Sequence, residues 1–125
     1  MNKCPFCSLQ TNEVVTDNDT AVALYDAFPV NKGHILVVPR RHVTSIFDLS
    51  SNEQLHLWSL VESVREHLKV GFRPDGFNIG VNDGEAAGQT VAHAHVHIIP
   101  RYEGDVADPR GGIRWINPEK AKYWK

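Results

Sequence analysis

Gln89-Thr90-Val91-Ala92-His93-Ala94-His95-Val96-His97-Ile98-Ile99-Pro100-Arg101 carries three of the chain's seven histidines at strict two-residue spacing. Alternation of polar and apolar side chains over this length is the pattern of a β-strand, whose successive residues point to opposite faces. The spacing predicts one strand that projects all three imidazoles from one face, roughly 6–7 Å apart along the backbone. Ala94, Val96 and Ile98 then enter a core. Imidazole is the side chain whose ordinary pKa lies nearest neutrality, so three in register can attack, donate protons or hold a metal. A purely structural row would need three separate buried partners, so the stretch reads as a functional site.

Working outward, residues 76–81 (GFNIGV) read as a strand, and residues 82–88 as a glycine-bearing loop that delivers the chain into the histidines. Residues 20–25 (TAVALY) and 34–38 (HILVV) predict an antiparallel pair, joined by a loop through Asp26, Pro29, Asn31 and Gly33 and stopped by Pro39. Between the second and third strands, Leu55, Leu57, Trp58, Val61, Val64 and Leu68 recur at helical spacing. The helix is expected to begin near Glu53 under a cap at Ser50, Ser51 or Asn52, and to close at Gly71 and Pro74. Residues 102–125 form an irregular tail. Strands with one long helix between them argue an α+β fold on an antiparallel sheet.

Length and composition bound the rest. A chain of 125 residues and 14.0 kDa suits one domain over residues 1–125. Its 42% hydrophobic and 22% charged residues are those of a soluble globular protein. The longest apolar runs, such as residues 35–38, are strand-sized, so no membrane span is expected. Met1 to Cys7 lacks the apolar core of a signal peptide, which predicts a cytoplasmic protein. A net charge of −2 gives no support for nucleic-acid binding through a broad basic surface. Any anionic ligand would be held locally.

Cys4 and Cys7 are the only cysteines and form one C-x₂-C. In a reducing compartment that spacing suits a metal or a redox pair better than a structural disulfide. Cys-Pro-Phe-Cys does look like a glutaredoxin-type active site, but such a motif should follow a strand and open a helix. Structural zinc is the leading reading, with redox activity and unligated thiols as alternatives.

The loop and the histidines together point to phosphate chemistry. Gly88 leaves room for a ligand to approach the backbone, Thr90 adds a hydroxyl, and successive N–H groups of such a turn can form an anion nest. Asn82 and Gln89 bring amides able to hydrogen-bond phosphate or leaving-group oxygens. The same loop also suits a plain connection with glycines at positive φ. An imidazole attacks phosphorus and gives a labile phosphoramidate. By geometry the middle histidine, His95, is the best nucleophile, since neighbours on its face can orient it and protonate a leaving group. A metal hydrolase using an H-x-H pair is the competing reading, but no carboxylate base lies in the strand.

Gly88 to Pro100 resembles the signature of the histidine triad family of nucleotide hydrolases and transferases, H-φ-H-φ-H-φ-φ, with Ala94, Val96, Ile98 and Ile99 filling the four hydrophobic positions. The resemblance extends to Leu24-Tyr25-Asp26, to residues 33–42 (GHILVVPRRH) and to Asn82-Asp83-Gly84, covering about residues 4–101. It implies a five-stranded antiparallel sheet with one long helix, which pairs into a ten-stranded sheet in a homodimer.

The resemblance further implies that His95 is the nucleophile, forming a covalent nucleotidyl-histidine that water hydrolyses to a nucleoside monophosphate. His97 and His34 would line the α-phosphate and neutralise developing charge. Asn82, Gly88, Gln89 and Thr90 would contact phosphate and leaving group. Asp26 would accept the ribose hydroxyls, and Phe6 and Leu24 would wall the base pocket. Read from the residues alone, those two belong to a core.

Bacterial members with C-x₂-C at this place imply a zinc site of Cys4, Cys7, His42 and His93, one structural zinc per chain, with no cofactor needed for the chemical step. The implied substrate is a purine nucleotide, either a dinucleoside polyphosphate such as diadenosine tetraphosphate or a nucleoside phosphoramidate. A nucleotide-binding regulatory module with little turnover is the alternative. His56 and His67 read as surface histidines on the helix.

Overall fold

Short aliphatic segments build one five-stranded sheet, and a single long helix covers one of its faces. The computed structural model describes residues 4–125. In chain order these are β1 (Val14–Asp17), β2 (Ala21–Tyr25), β3 (Ile35–Pro39), the helix α1 (Ser51–Phe72), β4 (Gly76–Gly80) and β5 (Val96–Arg101). The spatial order is β1-β2-β3-β5-β4, with every neighbouring pair antiparallel. No described helix is long and apolar enough to cross a membrane.

The period-2 pattern decides what each sheet face meets. Ala21 and Ala23 of β2, Ile35 and Val37 of β3, and Ala94, Val96 and Ile98 pack against Leu57, Leu60, Val61, Val64 and Leu68 of α1. The intervening residues Val22, Leu24, Leu36 and Val38 make a second cluster on the opposite face, covered by Phe6, Leu9 and Val14. His97, Ile99 and Arg101 share that opposite face, beside Gly80, Asn78 and Gly76 of β4. The helix side is core, and the other side is left for a site.

The helix starts two residues earlier than the expectation near Glu53. Ser50 Oγ accepts from the Glu53 N–H at 3.1 Å and Glu53 Oε1 accepts from the Ser50 N–H at 2.9 Å, a reciprocal cap. Glu53 also takes two hydrogen bonds from Arg41, at 2.8 and 3.1 Å, and Arg41 beside it holds its carboxyl at about 2. The helix start is thereby tied to the segment that carries His42. At the other end Gly71 stays helical, and the turn comes at Arg73, left-handed at φ 51, just before Pro74. Leu55 and Trp58, expected on the apolar stripe, are 64% and 43% exposed, while Leu60 is buried. His56 is half-buried, its Nδ1 3.0 Å from Thr20 Oγ1, and His67 is exposed as expected.

β1 was not legible as a strand. It has four residues, none fully buried, and its register against β2 is broken by a bulge between Val14 and Thr16, so no alternation marks it.

Candidate functional site

The histidine stretch does not form one continuous strand. Its ladder begins only at Val96, paired with Val37, so His97 is the one triad member within the sheet. The cause is Pro39, which ends β3 and has no N–H to donate. Its carbonyl accepts from His93 Nε2 at 2.8 Å, and the Ala94 N–H turns to Val43 O at 2.7 Å. The alternation of burial survives this departure, because Ala94, Val96 and Ile98 still enter the core. The rings stay in a row: Phe6 lies edge-on to His93 and His95 at 5.6 and 5.4 Å, His95 stands 5.1 Å from His97, and His97 stands 5.2 Å from His34.

One end of the row is a metal-competent cluster. Cys4 Sγ lies 3.2 Å from His93 Nδ1, Cys7 Sγ lies 3.2 Å from His42 Nδ1 and 3.6 Å from His93 Nδ1, and the two Nδ1 atoms are 3.1 Å apart. All four donor atoms lie within 4.8 Å of one another. A tetrahedron with metal–sulfur bonds of about 2.3 Å and metal–nitrogen bonds of about 2.0 Å has edges of roughly 3.3–3.8 Å, so the donor set fits a metal ion. His93 gives its other ring nitrogen to Pro39 O, the outer-sphere bond that fixes a ligating imidazole. Burial lowers the His93 pKa, opposed by that same bond, which suits a neutral ligand.

At the centre, the hydrogen bonds dictate tautomers. His95 is 8% exposed, and its Nδ1 lies 2.8 Å from His93 O. A carbonyl only accepts, so Nδ1 carries a proton and, in the neutral ring, Nε2 is the nitrogen with the free lone pair. His34 Nδ1 accepts from the Val30 N–H at 3.0 Å, so its proton sits on Nε2, which donates to His97 Nδ1 at 3.0 Å. His97 is left with an N–H at Nε2.

Asp26 lies beside this pair, with Oδ2 3.4 Å from His34 Nε2 and 4.0 Å from His97 Nδ1, while Oδ1 accepts from the Phe28 N–H at 2.9 Å. Burial lowers the pKa of both histidines; the neighbouring His95 and His34 lower that of His97 further, and Asp26 opposes the shift in each. Both are therefore neutral near pH 7.

Asp26, His34 and His97 also lie close enough together to be considered as a metal site. The Val30 N–H argues against it: a metal on His34 Nε2 would leave that ring without a proton on either nitrogen.

The loop differs from the expected anion nest. The N–H groups of Ala87, Gly88 and Gln89 turn inward to Gly84 O, Glu85 O and Gly84 O. Gln89 is buried, and its amide braces the loop: Oε1 accepts from the Gly84 N–H at 2.9 Å, and Nε2 donates to Thr44 O at 2.9 Å and Val91 O at 3.0 Å. Reaching a phosphate would cost it one of these bonds. Gly88 holds φ 95 with open space where a side chain would project, which is why glycine suits this turn. Asn82 and Thr90 are exposed, and Asn82 lines the main cavity.

That cavity, of about 700 Å³, runs from His34 and His97 across β5 and β4 to the tail. Phe6 and Leu24 lie on the other half of the same face, in the cluster over β2 and β3. Sequence reasoning missed the tail's part in the cavity, including Ile113 and Trp115, and the network around Asp105. Arg101 donates to Asp105 at 2.8 and 2.9 Å and to Asn78 at 2.6 Å, and Asn31 donates to Asp105 at 2.8 Å. The Arg-x₃-Asp spacing of residues 101 and 105 was the one available signal.

The HIT domain family matches residues 9–104 of this chain. A HIT-like protein of Methanocaldococcus jannaschii is 43% identical over 107 residues, covering 82% of this chain and 81% of that protein. The bis(5′-adenosyl)-triphosphatase of Dictyostelium discoideum is 36% identical over 97 residues, covering 78% of this chain and 65% of that enzyme. Among solved structures, a zinc-bound histidine triad family protein from Mycobacterium smegmatis superposes with a TM-score of 0.69 at 30% identity, over 76% of this chain and 69% of that one. A match over most of the chain, with this sheet order and this histidine row, places the chain in the HIT family.

Proposed function

We propose that this protein is a nucleotide hydrolase that works through a covalent intermediate on His95. The observation that carries the reading is the His95 Nδ1 contact with His93 O, which in the neutral ring makes Nε2 the nitrogen with the lone pair, beside the His34–His97 pair that lines the cavity. The Nε2 lone pair forms a bond to the nucleoside 5′-phosphorus, and the bond from phosphorus to the leaving group breaks with its electron pair on the leaving atom. The His97 Nε2–H donates to a phosphoryl oxygen as charge develops, and His34 holds that tautomer in place. An amine leaving atom takes up a proton from water as it departs; a water oxygen then attacks phosphorus and gives one proton to the solvent, the P–N bond returns its electron pair to Nε2, and nucleoside monophosphate leaves.

Asp26 Oδ2, which accepts from no backbone N–H among the described residues, is offered to the ribose hydroxyls, while Phe6 and Leu24 wall a purine base. Asn82, Gly88 and Thr90 flank the phosphate; Gln89 acts by shaping their loop. Cys4, Cys7, His42 and His93 would hold zinc, whose closed set of two thiolates and two imidazoles supplies cross-linking rather than chemistry. The bound zinc of the M. smegmatis relative supports that choice of metal. The name of the D. discoideum relative supports a dinucleoside polyphosphate as one substrate class, and a nucleoside phosphoramidate is the other. β4 is an open sheet edge with Ile79 at its surface, which supports pairing into a homodimer across that edge.

The test is direct. Protein incubated with diadenosine tetraphosphate or adenosine 5′-phosphoramidate, denatured and digested at alkaline pH because the P–N bond is acid-labile, should carry a nucleotidyl group on His95 by peptide mass spectrometry. Turnover with no adduct, or an adduct on another histidine, would refute the mechanism.

A further inference from the structure

The loop between β2 and β3 carries the N–H that sets the tautomer of His34, yet its own side chains do little to hold it. Ala27, Phe28, Pro29 and Val30 are all exposed. The ends of the loop are fixed, because the Asp26 N–H donates to His34 O at 3.0 Å beside the β2–β3 ladder. Between those ends Val30 donates to His34 Nδ1 at 3.0 Å. Among the described residues, the hydrogen bonds that tie the loop to the rest of the protein run to residues 100–105. Asn31 Nδ2 donates to Pro100 O at 3.0 Å and to Asp105 Oδ2 at 2.8 Å, and the Tyr102 hydroxyl donates to Lys32 O at 2.7 Å.

Asp105 organises this anchor. Its Oδ2 also accepts from Arg101 Nε at 2.8 Å and from the Tyr102 N–H at 3.0 Å, and its Oδ1 accepts from Arg101 Nη2 at 2.9 Å. Arg101 is braced in turn by Asn78 Oδ1 at 2.6 Å. Arg101 first, then the Tyr102 N–H and Asn31, hold the Asp105 carboxyl well below the usual carboxylate range, so it stays an ionised acceptor. One carboxylate oxygen thus joins the β2–β3 loop, the end of β5 and the turn after it.

Resting on the reading of His97 as the donor to the phosphoryl oxygen, we propose that Asp105 is a positioning residue for the reaction: through Asn31 it keeps the Val30 N–H on His34 Nδ1. It acts at second remove, on the protons of the His34–His97 pair. That pair has two ways to make its one bond of 3.0 Å. With the proton on His34 Nε2, His97 keeps its own proton at Nε2, toward the phosphoryl oxygen. With the proton on His97 Nδ1 donating back to His34, a lone pair stands at His97 Nε2 and a proton at His34 Nδ1. Asp26 Oδ2 lies near both nitrogens of the bond, 3.4 Å from His34 Nε2 and 4.0 Å from His97 Nδ1. The Val30 N–H excludes the inverted arrangement, because it would meet a proton on Nδ1. A loosened loop removes that exclusion.

Asn31→Ala and Asp105→Ala test the proposal by ring-nitrogen NMR of the free protein and by kinetics on adenosine 5′-phosphofluoridate, whose leaving group is too small to depend on the cavity walls. Wild type should hold His34 in the Nε2–H tautomer. Each variant should add a His34 Nδ1–H population and lower kcat roughly two- to ten-fold, the worth of one hydrogen bond. KM should stay within about two-fold, because the strand ends still place Asp26. The double variant should fall no further than the worse single one, since both act on the same bond. If Asp105→Ala melts below assay temperature, Asn31→Ala decides. Unchanged tautomers in the variants overturn the proposal whatever the kinetics. Shifted tautomers with kcat unchanged also overturn it, as does a rise in KM alone, which assigns Asp105 to substrate binding. Losses that multiply in the double variant overturn the shared route through Asn31. Absence of fluoridate turnover by wild type refutes the hydrolase reading itself.

Discussion

Replacing Cys4 with serine should release the bound metal and lower Tm by roughly 10–17 °C, a range set by the topology of the cluster. Cys4 and His93 are 89 positions apart in the chain and 3.2 Å apart in space, so a metal between them closes a very long loop. By chain entropy, a cross-link of that span stabilises the fold by about 4.6 kcal/mol at most. A domain of this length unfolds with an entropy of about 0.26 kcal/mol per kelvin, which converts the figure to about 17 °C. Cys7, His42 and His93 still touch one another without a metal, so the observed loss should fall in the lower part of that range.

The assay is calorimetry of wild type and variant, each with and without chelator, beside metal analysis of the same samples. Wild type purified without chelator should hold close to one zinc per chain. Chelator should move wild type to the variant's Tm and barely move the variant. Activity adds a sharper condition. Phe6 sits between the two cysteines and packs on His95 at 5.4 Å, so loss of the metal should loosen the pocket wall and raise KM. kcat below the new Tm should persist, because the attack proposed for His95 needs no metal. Metal-free wild type would refute the site, and metal loss that shifts Tm by less than about 3 °C would refute the loop-closure argument. A fall in kcat at unchanged KM would put the metal in the chemistry.

Three further outcomes are expected. His95→Ala should abolish the covalent adduct and lower kcat by about three orders of magnitude or more with the fold intact, and retention of more than about a tenth of wild-type turnover would remove His95 as nucleophile. Asp26→Ala should raise KM for ribonucleotides with little change in kcat and affect 2′,3′-dideoxy substrates much less; equal losses on both would place Asp26 away from the ribose. The folded-state pKa values of His34 and His97 lie below the unfolded value near 6.5, so the unfolded chain binds more protons in acid. Their stabilising contribution is complete above that value and is lost as pH falls through the folded values. Both Tm and kcat/KM should therefore decline on the acid side, and a kcat/KM that rises there would contradict a neutral His97.

What was legible in the sequence depended on how many constraints a residue meets at once. β2, β3 and α1 were readable because their apolar positions repeat at the period of their own geometry, and the core obeys that period. β1 was not, since an edge strand of four half-exposed residues with a bulge leaves no periodic trace. Leu55 and Trp58 continue a three-residue spacing yet face outward, because at about 100° per residue they stand roughly 160° and 100° round the helix from Leu57, which the sheet covers. The tail's share of the cavity was invisible for a different reason: Ile113 and Trp115 line it together with residues of β5 and β4 that lie about twelve to thirty-seven positions upstream, and nothing local announces them.

The triad marks the boundary between what spacing and what bonding decide. His93, His95 and His97 occupy equivalent positions in the sequence pattern, and spacing alone would make them interchangeable. Their partner atoms separate them. His93 turns Nδ1 to Cys4 and gives Nε2 to Pro39 O, so neither nitrogen is available to a substrate. The carbonyl of that same residue accepts from the Nδ1–H of His95, so the cysteine end of the row fixes the tautomer at its centre. His97 receives from His34, whose own tautomer is set by one backbone N–H at Val30. The tautomers of His95 and of the His34–His97 pair thus descend from two main-chain groups, a carbonyl and an amide, that carry no side-chain identity. A family signature written in side chains cannot record them, and only the fold places them where the imidazoles are.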